Sequence, residues 1–194
     1  MNLLKADRLD FDPRPQMGRM FAEGFYQWLK YFSKDMDKLG RAFAHIFELS
    51  LFYVAVVDGE VAAFAACSDK KMPVIQLDKK ALRKHLGFFK GSFAYLMLDK
   101  SFNKPYPFPM EPRMGSIDFV VTALKFRGRG INFQLLEFAM AVEGFHSYVL
   151  EVASNNSSAL RLYGKLGFKE FMRLPEKHPK QAGFEHYLYL KRES

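Results

Sequence analysis

The feature of this sequence that most constrains its fold is a glycine-rich turn between a strand pattern and a helix pattern. The segment SIDFVVTA at 116–123 has the β-branched and aromatic residues of a buried strand. Arg127-Gly128-Arg129-Gly130 follows, and then comes INFQLLEFAMAV, which is apolar at helical spacing. The predicted stripe consists of Ile131, Leu135, Phe138, Ala139 and Val142. A strand, a glycine turn and a helix are therefore expected in that order.

A helix that begins at such a turn presents unpaired N–H groups and the positive end of its dipole, which together suit phosphate oxygens. Gly128 and Gly130 let the backbone approach a ligand closely, and Arg127 and Arg129 add charge, with at least one of the two expected to point into solvent. The turn is not a Walker loop, and it lacks a full G-x-G-x-x-G. The alternatives are a phosphate cradle and an ordinary strand-to-helix turn.

The first half of the chain predicts helices and one hairpin. Residues 21–32 and 37–50 have apolar residues at helical intervals. Asp58-Gly59 lies between the runs LFYVAVV and VAAFAAC, which is a strong short-range signal for an antiparallel hairpin. Residues 78–99 read as helical again, and the proline-rich segment SFNKPYPFPMEP at 101–112 reads as a loop.

The remainder of the chain predicts three more strands and one more helix. SYVLEVA at 147–153 is a second buried strand, and Asn156 caps a short helix that Gly167 ends. Two strands, at 168–174 and 184–190, follow. This order predicts an α/β (α+β) fold in which helices flank a mixed sheet. With 194 residues, 49% of them hydrophobic, residues 1–194 are expected to form one domain.

Composition bears on the cellular compartment and on the kinds of site that the protein is expected to have. The one cysteine, Cys67, excludes an internal disulfide and is expected to be buried, so a reducing, cytoplasmic location is predicted. Asp7 and Asp10 lie where a signal peptide needs an apolar segment, and no window suits a membrane helix. The five histidines are far apart, so no metal site is expected.

The formal charge of +8 is compatible with nucleic acid, an anionic membrane surface or a phosphate-bearing cofactor. The basic residues are scattered, and the densest cluster is Lys79, Lys80, Arg83 and Lys84. It lies on a helical pattern with Leu82, Leu86 and Phe89 expected on the opposite face, so a solvated helix face explains it. Neither nucleic acid nor a membrane is expected as a partner.

A second motif, LEVASNNSSALRLYGKLGF, begins about twenty residues after the glycine turn. Together the two resemble the GCN5-related N-acetyltransferase (GNAT) superfamily. The R/Q-x-x-G-x-G/A turn of that family matches Arg127 to Asn132. Its N-x-x-A-x-x-x-Y-x-x-x-G-F element matches Asn156, Ala159, Tyr163, Gly167 and Phe168. The resemblance is detailed over residues 115–170, and it implies a twisted, mostly antiparallel sheet.

The resemblance also implies a ligand and its site. Acetyl-CoA would be the acyl donor, with its pantetheine arm received by exposed backbone of the strand, here at Val120 and Thr122. The turn would hold the pyrophosphate, and Asn156 would contact the cofactor. Tyr163 would stand near the thioester sulfur and protonate the departing thiolate. The residues assigned to the turn are Arg127, Gly128, Arg129, Gly130, Ile131 and Asn132.

The attacking amine must lose a proton, so a base is required. Asp118 is the first candidate because it interrupts an apolar strand where family members often carry an acidic residue, and alternation places it on the face of Val120 and Thr122. The alternative is a salt-bridged strand carboxylate. Glu151 on the next strand is the second candidate, and a water chain is the third.

The sequence departs from the family pattern at two positions. Asn132 replaces the final small residue of the turn, and Leu124 stands where a proline is usual. The Asn132 side chain either crowds the phosphates or points outward from the first helical turn while its N–H still donates. We expect the second arrangement because asparagine is well tolerated at helix starts.

The acceptor is expected to be a primary amine, on a small molecule or a protein, in a site shaped by the insertion at 69–112. Phe102, Tyr106 and Phe108 form either an aromatic lid or a packed loop, and the basic charge disfavours a polycationic acceptor. The leading hypothesis is direct acetyl transfer by a monomer or homodimer. A catalytically silent coenzyme A-binding sensor and, from charge alone, a nucleic-acid-binding protein are the alternatives.

Overall fold

A computed structural model describes residues 1–102 and 104–194, and its centre is one seven-stranded sheet. The strands are β1 (Asn2–Lys5), β2 (Phe52–Val57), β3 (Glu60–Ser68), β4 (Met114–Thr122), β5 (Ser147–Ala153), β6 (Lys169–Pro175) and β7 (His186–Glu193). Their spatial order is β1-β2-β3-β4-β5-β7-β6. The β4–β5 pair is parallel and the other named pairs are antiparallel, so the predicted mixed, mostly antiparallel α/β fold class is confirmed.

Helices cover both faces of the sheet. They are α1 (Arg14–Gly24), α2 (Tyr26–Leu29), α3 (Met36–Phe43), α4 (Lys79–Leu86), α5 (Phe88–Phe102), α6 (Ile131–Glu143), α7 (Ser157–Lys165) and α8 (Pro179–Ala182). One apolar cluster joins α1 and α3 to α5 on one face, and a second joins α6 and α7 to the other. Alternate residues of β3 supply both clusters because successive side chains in a strand point to opposite faces.

The hairpin, the second strand and the capped helix occur where the sequence predicts them. Asp58 and Gly59 have φ values of +50° and +79°, the left-handed conformation that a tight hairpin turn requires. Asn156 accepts a hydrogen bond from the Ala159 N–H at 3.1 Å and thereby caps α7. Gly167, at φ +84°, follows the end of that helix. Cys67 is buried, as expected.

Strand β1, near the start of the chain, is an element that the sequence did not predict. Three expectations about secondary structure and packing are wrong. The helical segment at 78–99 is two helices because Gly87, at φ +88°, separates them. Val142 of the predicted α6 stripe is 51% exposed, and Met140 is buried in its place. Phe89 is 84% exposed rather than packed opposite the basic cluster, since the helix break changes its direction.

Candidate active site

Strands β4 and β5 pair at one end only. Met114, Gly115 and Ser116 are in register with Ser147, Tyr148 and Val149, and the pairing stops there. The rest of β4, up to Thr122, diverges from β5 and leaves its edge backbone groups without strand partners on that side. A wedge of this kind provides exposed N–H and C=O groups that an extended ligand arm can use in place of a strand.

A β-bulge lies within the diverging part of β4. Asp118 pairs with Ala66 while Val121 pairs with Phe64, so two residues of β4 stand opposite one residue of β3. Phe119, within the bulge, has a φ of +51°. The bulge increases the local twist, which accounts for the divergence of β4 from β5.

The bulge overturns the expectation that Asp118 shares a face with Val120 and Thr122. Asp118 lies opposite Ala66, whose side chain belongs to the cluster that contains α1 and α3. Thr122 lies opposite Ala63, and Val120 packs against the cluster that contains α6 and α7. Simple alternation fails because the extra residue shifts the register by one, and the carboxylate lies on the opposite face of the sheet.

The glycine turn leads directly into α6 beside this wedge. Gly128 and Gly130 have φ values of +76° and +71°, and nothing lies within 4 Å of a Cβ built on either. Arg127 donates from Nε to the Thr122 carbonyl oxygen at 3.3 Å, which ties the turn to the end of β4. Arg129 lies over the Phe126 ring at 5.4 Å, and both arginines are exposed. The two glycines before α6 thus face open space, and two cations lie nearby.

Asn132, in the first turn of α6, does not point outward as expected. Its Oδ1 atom is buried and has no hydrogen-bond partner within the part of the chain that the structure describes. A buried polar group without a partner is costly, and it marks a position where a ligand or water would supply one. The residues of this turn therefore fit a bound phosphate group: glycine backbone in open space, positive charge, and an Asn132 amide that can present its N–H group after rotation.

Tyr163 projects from α7 into the second apolar cluster and is 7% exposed. Its ring meets that of Phe168 edge-on at 6.0 Å. Burial raises the pKa of its hydroxyl well above the ordinary value, and the negative charge of Asp118 raises it further. Across residues 1–102 and 104–194, no hydrogen bond to that hydroxyl is found. Tyr163 is thus a protonated phenol with a free donor.

Asp118 belongs to a polar chain that crosses to the inserted segment. The Ser116 hydroxyl donates to Asp118 Oδ2 at 2.6 Å, and the Tyr106 hydroxyl lies 2.8 Å from Ser116 Oγ. Lys70 Nζ is 2.9 Å from Asp118 Oδ2 and 5.4 Å from the centre of the Tyr106 ring. Sequence reasoning missed Lys70, Ser116 and their links to Tyr106, because these residues meet only through the fold.

Glu151 stands on β5 across the wedge. Partial loss of surrounding water raises the pKa of its carboxyl above the ordinary value, and the Asp118 charge acts in the same direction. The neighbouring Tyr189 hydroxyl, Lys104 and Lys70 oppose that rise in pKa. The Glu151 side chain remains exposed. The two carboxylates named from the sequence therefore interact electrostatically but have different partners.

The proline-rich loop divides between two places. Tyr106 and Phe108 stack at 5.0 Å and meet the Tyr189 ring edge-on at 6.1 and 5.6 Å, so this part of the loop lies beside the polar chain. Phe102 instead contacts Phe21 and Phe119 in the first apolar cluster. The three aromatic residues named from the sequence thus do not form one surface.

Within the described residues, no group of three or more histidine, cysteine or acidic side chains is placed to hold a metal ion. The same residues include no helix of the length and hydropathy needed to cross a membrane.

Comparison with known proteins identifies what this arrangement resembles. The model of the acetyltransferase (GNAT) family matches residues 15–168. A search of curated proteins found no significant match. Among solved structures, PH1933 from Pyrococcus horikoshii OT3 aligns with a TM-score of 0.60 at 17% identity, covering 100% of this chain and 98% of that one.

Two further structures share the fold. An N-acetyltransferase from Staphylococcus aureus Mu50 aligns with a TM-score of 0.57 at 20% identity, covering 99% of this chain and 100% of its own. Another structure, described as an acetyltransferase, has a TM-score of 0.52 at 20% identity, covering 94% of this chain and 97% of its own. At 17–20% identity, these alignments show a similar fold and nothing further about function.

Proposed function

We propose that this chain, which belongs to the acetyltransferase (GNAT) family and is an acyltransferase, moves an acetyl group from acetyl-CoA to a primary amine in a ternary complex. The observation that carries the proposal is the wedge between β4 and β5, which opens beside the glycine turn at the start of α6. An extended arm ending in a phosphate group finds backbone partners along the wedge and N–H donors at its end.

In this proposal the phosphates lie against the turn from Arg127 to Asn132, and the pantetheine arm follows the β4 backbone at Val120 and Thr122. Asn156 contributes through its side-chain N–H group, since its oxygen already caps α7. The Asn132 amide gains the partner that it lacks, because rotation of the amide presents either its oxygen or its nitrogen. These assignments bring acetyl-CoA into contact with two motifs that are about thirty residues apart.

Tyr163 acts as the acid in the transfer. A raised pKa keeps the Tyr163 phenol protonated, so its O–H is available to the departing thiolate, whose free thiol has a pKa of about 8.5. Because the same shift makes Tyr163 the weaker acid of the two, its contribution comes from a hydrogen bond to the developing sulfur charge, along which the proton is passed as the C–S bond breaks. The burial that raises the pKa of Tyr163 also excludes water, which strengthens any hydrogen bond it forms with the sulfur.

Glu151 is the better base of the two carboxylates. Asp118 is already engaged within the fold, because it accepts a hydrogen bond from the Ser116 hydroxyl and forms an ion pair with Lys70 Nζ at 2.9 Å. Glu151 is exposed and its pKa is raised, which brings it closer to the working pH of a general base. Asp118 then holds Lys70 and Tyr106 in place beside the acceptor.

We place the acceptor amine between Glu151 and the loop that carries Tyr106 and Phe108, on the face of the sheet opposite α6. The insertion at 69–112 supplies Lys70, Tyr106 and Phe108 to that face. The acceptor is a single amine rather than a polycation, because Lys70 and Lys104 already add positive charge near Glu151. The reaction is placed in the cytoplasm, with the protein a monomer or homodimer.

The proposal is tested first by calorimetry with acetyl-CoA and then by thiol release on a panel of amines. Binding together with turnover supports it. Binding without turnover on any amine would favour a coenzyme A-binding sensor. No binding at millimolar acetyl-CoA would exclude both interpretations and leave the nucleic-acid-binding hypothesis, which rests on the net charge.

The choice of base is tested with Glu151→Gln and Asp118→Asn. Glu151→Gln is expected to lower kcat/KM by about 10²–10⁴-fold and to flatten the acidic limb of the pH profile. Asp118→Asn is expected to raise KM for the amine and keep that limb. If Asp118→Asn removes the limb and Glu151→Gln does not, Asp118 is the base.

A further inference from the structure

Helix α5 buries a narrow stripe that contains two small residues, and it exposes several of its large apolar residues. Gly91, Ala94 and Leu98 form its buried stripe. A Cβ on Gly91 would lie 2.6 Å from the backbone of Arg83 and Leu82, so this close contact with α4 determines which side of α5 faces inward. The residues left outside form what we term the apolar ridge. They are Phe89 (84% exposed), Phe93 (57%), Leu96 (57%) and Met97 (52%).

The ridge is not explained by the core or by the active site. These four side chains lie about 100° or more around α5 from the buried stripe. The helix therefore exposes an apolar face to solvent, whereas an ordinary amphipathic helix buries it. Exposed single hydrophobic residues are ordinary, but a continuous row of four on one helix marks an interaction surface.

Cations surround the ridge. Lys90 and Lys100 are exposed on α5 itself. From α4, the Arg83 guanidinium lies 4.2 Å from the centre of the Phe88 ring, and Lys79 lies 5.8 Å from that of Tyr95. Between residues 78 and 102 the sequence has six lysines and arginines against two aspartates. We term Lys79, Arg83, Lys90 and Lys100 the basic rim.

We propose that the apolar ridge and the basic rim dock this protein on an anionic phospholipid surface. Aromatic and aliphatic side chains on a helix enter the boundary between headgroups and acyl chains, while lysines and arginines beside them pair with lipid phosphates. Docking is peripheral, because no helix in the described residues is built to cross a membrane. This inference revises the sequence-based expectation of no membrane partner.

Charge argues against a second copy of this chain as the partner that covers the apolar ridge. A two-fold dimer would bring the same patch of each copy together, so Lys90, Lys100 and Arg83 would face one another across the contact. Like charges at an interface disfavour association, whereas an anionic surface satisfies every member of the basic rim. The net charge of +8 on the chain acts in the same direction at longer range.

Docking would also orient the acceptor side of the protein. Helix α5 ends at Phe102, whose ring packs against Phe119 of the β4 bulge, and the loop carrying Tyr106 follows. The inserted segment therefore links the ridge to the acceptor face through a few packed residues. The docking proposal rests on the apolar ridge and the basic rim, and it does not depend on the proposed acetyl transfer.

The test is co-sedimentation of the full chain with phosphatidylcholine vesicles, with and without phosphatidylglycerol. Wild-type protein is expected to bind the anionic vesicles only, and salt is expected to weaken binding. Phe89→Ser/Leu96→Ser is expected to weaken it by about a hundredfold, at roughly tenfold for each buried apolar side chain. Lys90→Gln/Lys100→Gln is expected to weaken it by about thirtyfold, at roughly fivefold per charge near the surface.

Matched controls come from elsewhere on the surface. Val142→Ser removes an apolar side chain that is 51% exposed on α6, and Lys177→Gln/Lys180→Gln removes two exposed charges near α8. Both are expected to bind vesicles as wild type does, and circular dichroism with thermal melting confirms that all variants are folded.

Three results would overturn the proposal: no vesicle binding, equal binding to vesicles without phosphatidylglycerol, or equal losses in the controls. A wild-type dimer in light scattering that Phe89→Ser/Leu96→Ser converts to a monomer, without vesicle binding, would assign the ridge to contact between copies instead.

Discussion

Replacing Tyr163 with phenylalanine separates the chemical role of that residue from its structural role. Tyr163 is 7% exposed within an apolar cluster, and in the part of the chain that the structure describes its hydroxyl has no hydrogen-bond partner. Removing it therefore breaks no contact that holds the fold together. The ring remains to pack against Phe168.

Tyr163→Phe is expected to affect stability and catalytic rate very differently. Because the hydroxyl makes no hydrogen bond within the described residues, Tyr163→Phe is expected to change the free energy of unfolding by less than about 1 kcal/mol. Loss of a general acid lowers the rate by about 10²–10⁴-fold, which corresponds to about 3–5 kcal/mol in the activation free energy. A variant that is as stable as wild type and far slower is the expected outcome.

The assay is thiol release with acetyl-CoA and an accepted amine, measured across pH, together with urea unfolding of the same samples. Tyr148→Phe is the matched control. The Tyr148 hydroxyl donates to the Met140 carbonyl oxygen and accepts from the Phe145 N–H, so its removal leaves the Phe145 N–H without that partner, while the Met140 oxygen still accepts from the Gly144 N–H. We expect that control to lose about 1–3 kcal/mol of stability and to keep its kcat.

The reasoning would be refuted by a Tyr163→Phe enzyme with wild-type kcat at every pH. A Tyr163→Phe variant that loses stability as Tyr148→Phe does would show instead that the hydroxyl has a partner in the fold. Because the pKa of Tyr163 is raised, no loss of rate from its ionisation is expected up to about pH 10, where an ordinary tyrosine would titrate.

Three further predictions concern other parts of the molecule. Gly130→Ala imposes about 1–2 kcal/mol of strain at φ +71° and is expected to weaken acetyl-CoA binding in calorimetry, whereas Gly144→Ala, at φ +59° after α6, imposes similar strain with unchanged affinity. Burial raises the pKa of the Cys67 thiol well above its usual range, so Cys67 is expected not to react with an aromatic disulfide reagent unless the protein is denatured; rapid labelling of the native protein would contradict this. His45 accepts a hydrogen bond at Nε2 from the Asp78 N–H, and burial lowers its pKa below the ordinary value of about 6.5. Unfolding midpoints are therefore expected to be constant above about pH 7 and to fall as pH drops through 6.5, and His45→Gln should reduce that slope.

The parts of the site that were predictable from the sequence have local geometry. Glycines at 128 and 130 adopt the left-handed conformation that a strand-to-helix turn needs, and Asn156 caps the helix that begins one residue later. Each relation lies within a few residues along the chain, so the pattern of residue types determines it. The fold class follows because the order of strand and helix patterns permits few topologies.

The wrong expectations share a different cause. Alternation along β4 misplaced Asp118 because a bulge depends on how β3 pairs with it, and β3 lies some fifty residues earlier. The direction of Phe89 depends on Gly87, which breaks the helix, and on the contact between Gly91 and α4. In both cases a distant or neighbouring element, rather than local propensity, decided where a side chain points.

The sequence by itself thus determined the turn, the cap, the tyrosine in register with them and the kind of fold. Only the tertiary structure decided the opening between β4 and β5, the pairing of Lys70 with Asp118, and the raised pKa of Glu151. The physical reason is that dihedral preferences and hydrogen bonds within a turn act over a few residues. Burial, charge proximity and strand register depend instead on segments that meet only when the chain has folded.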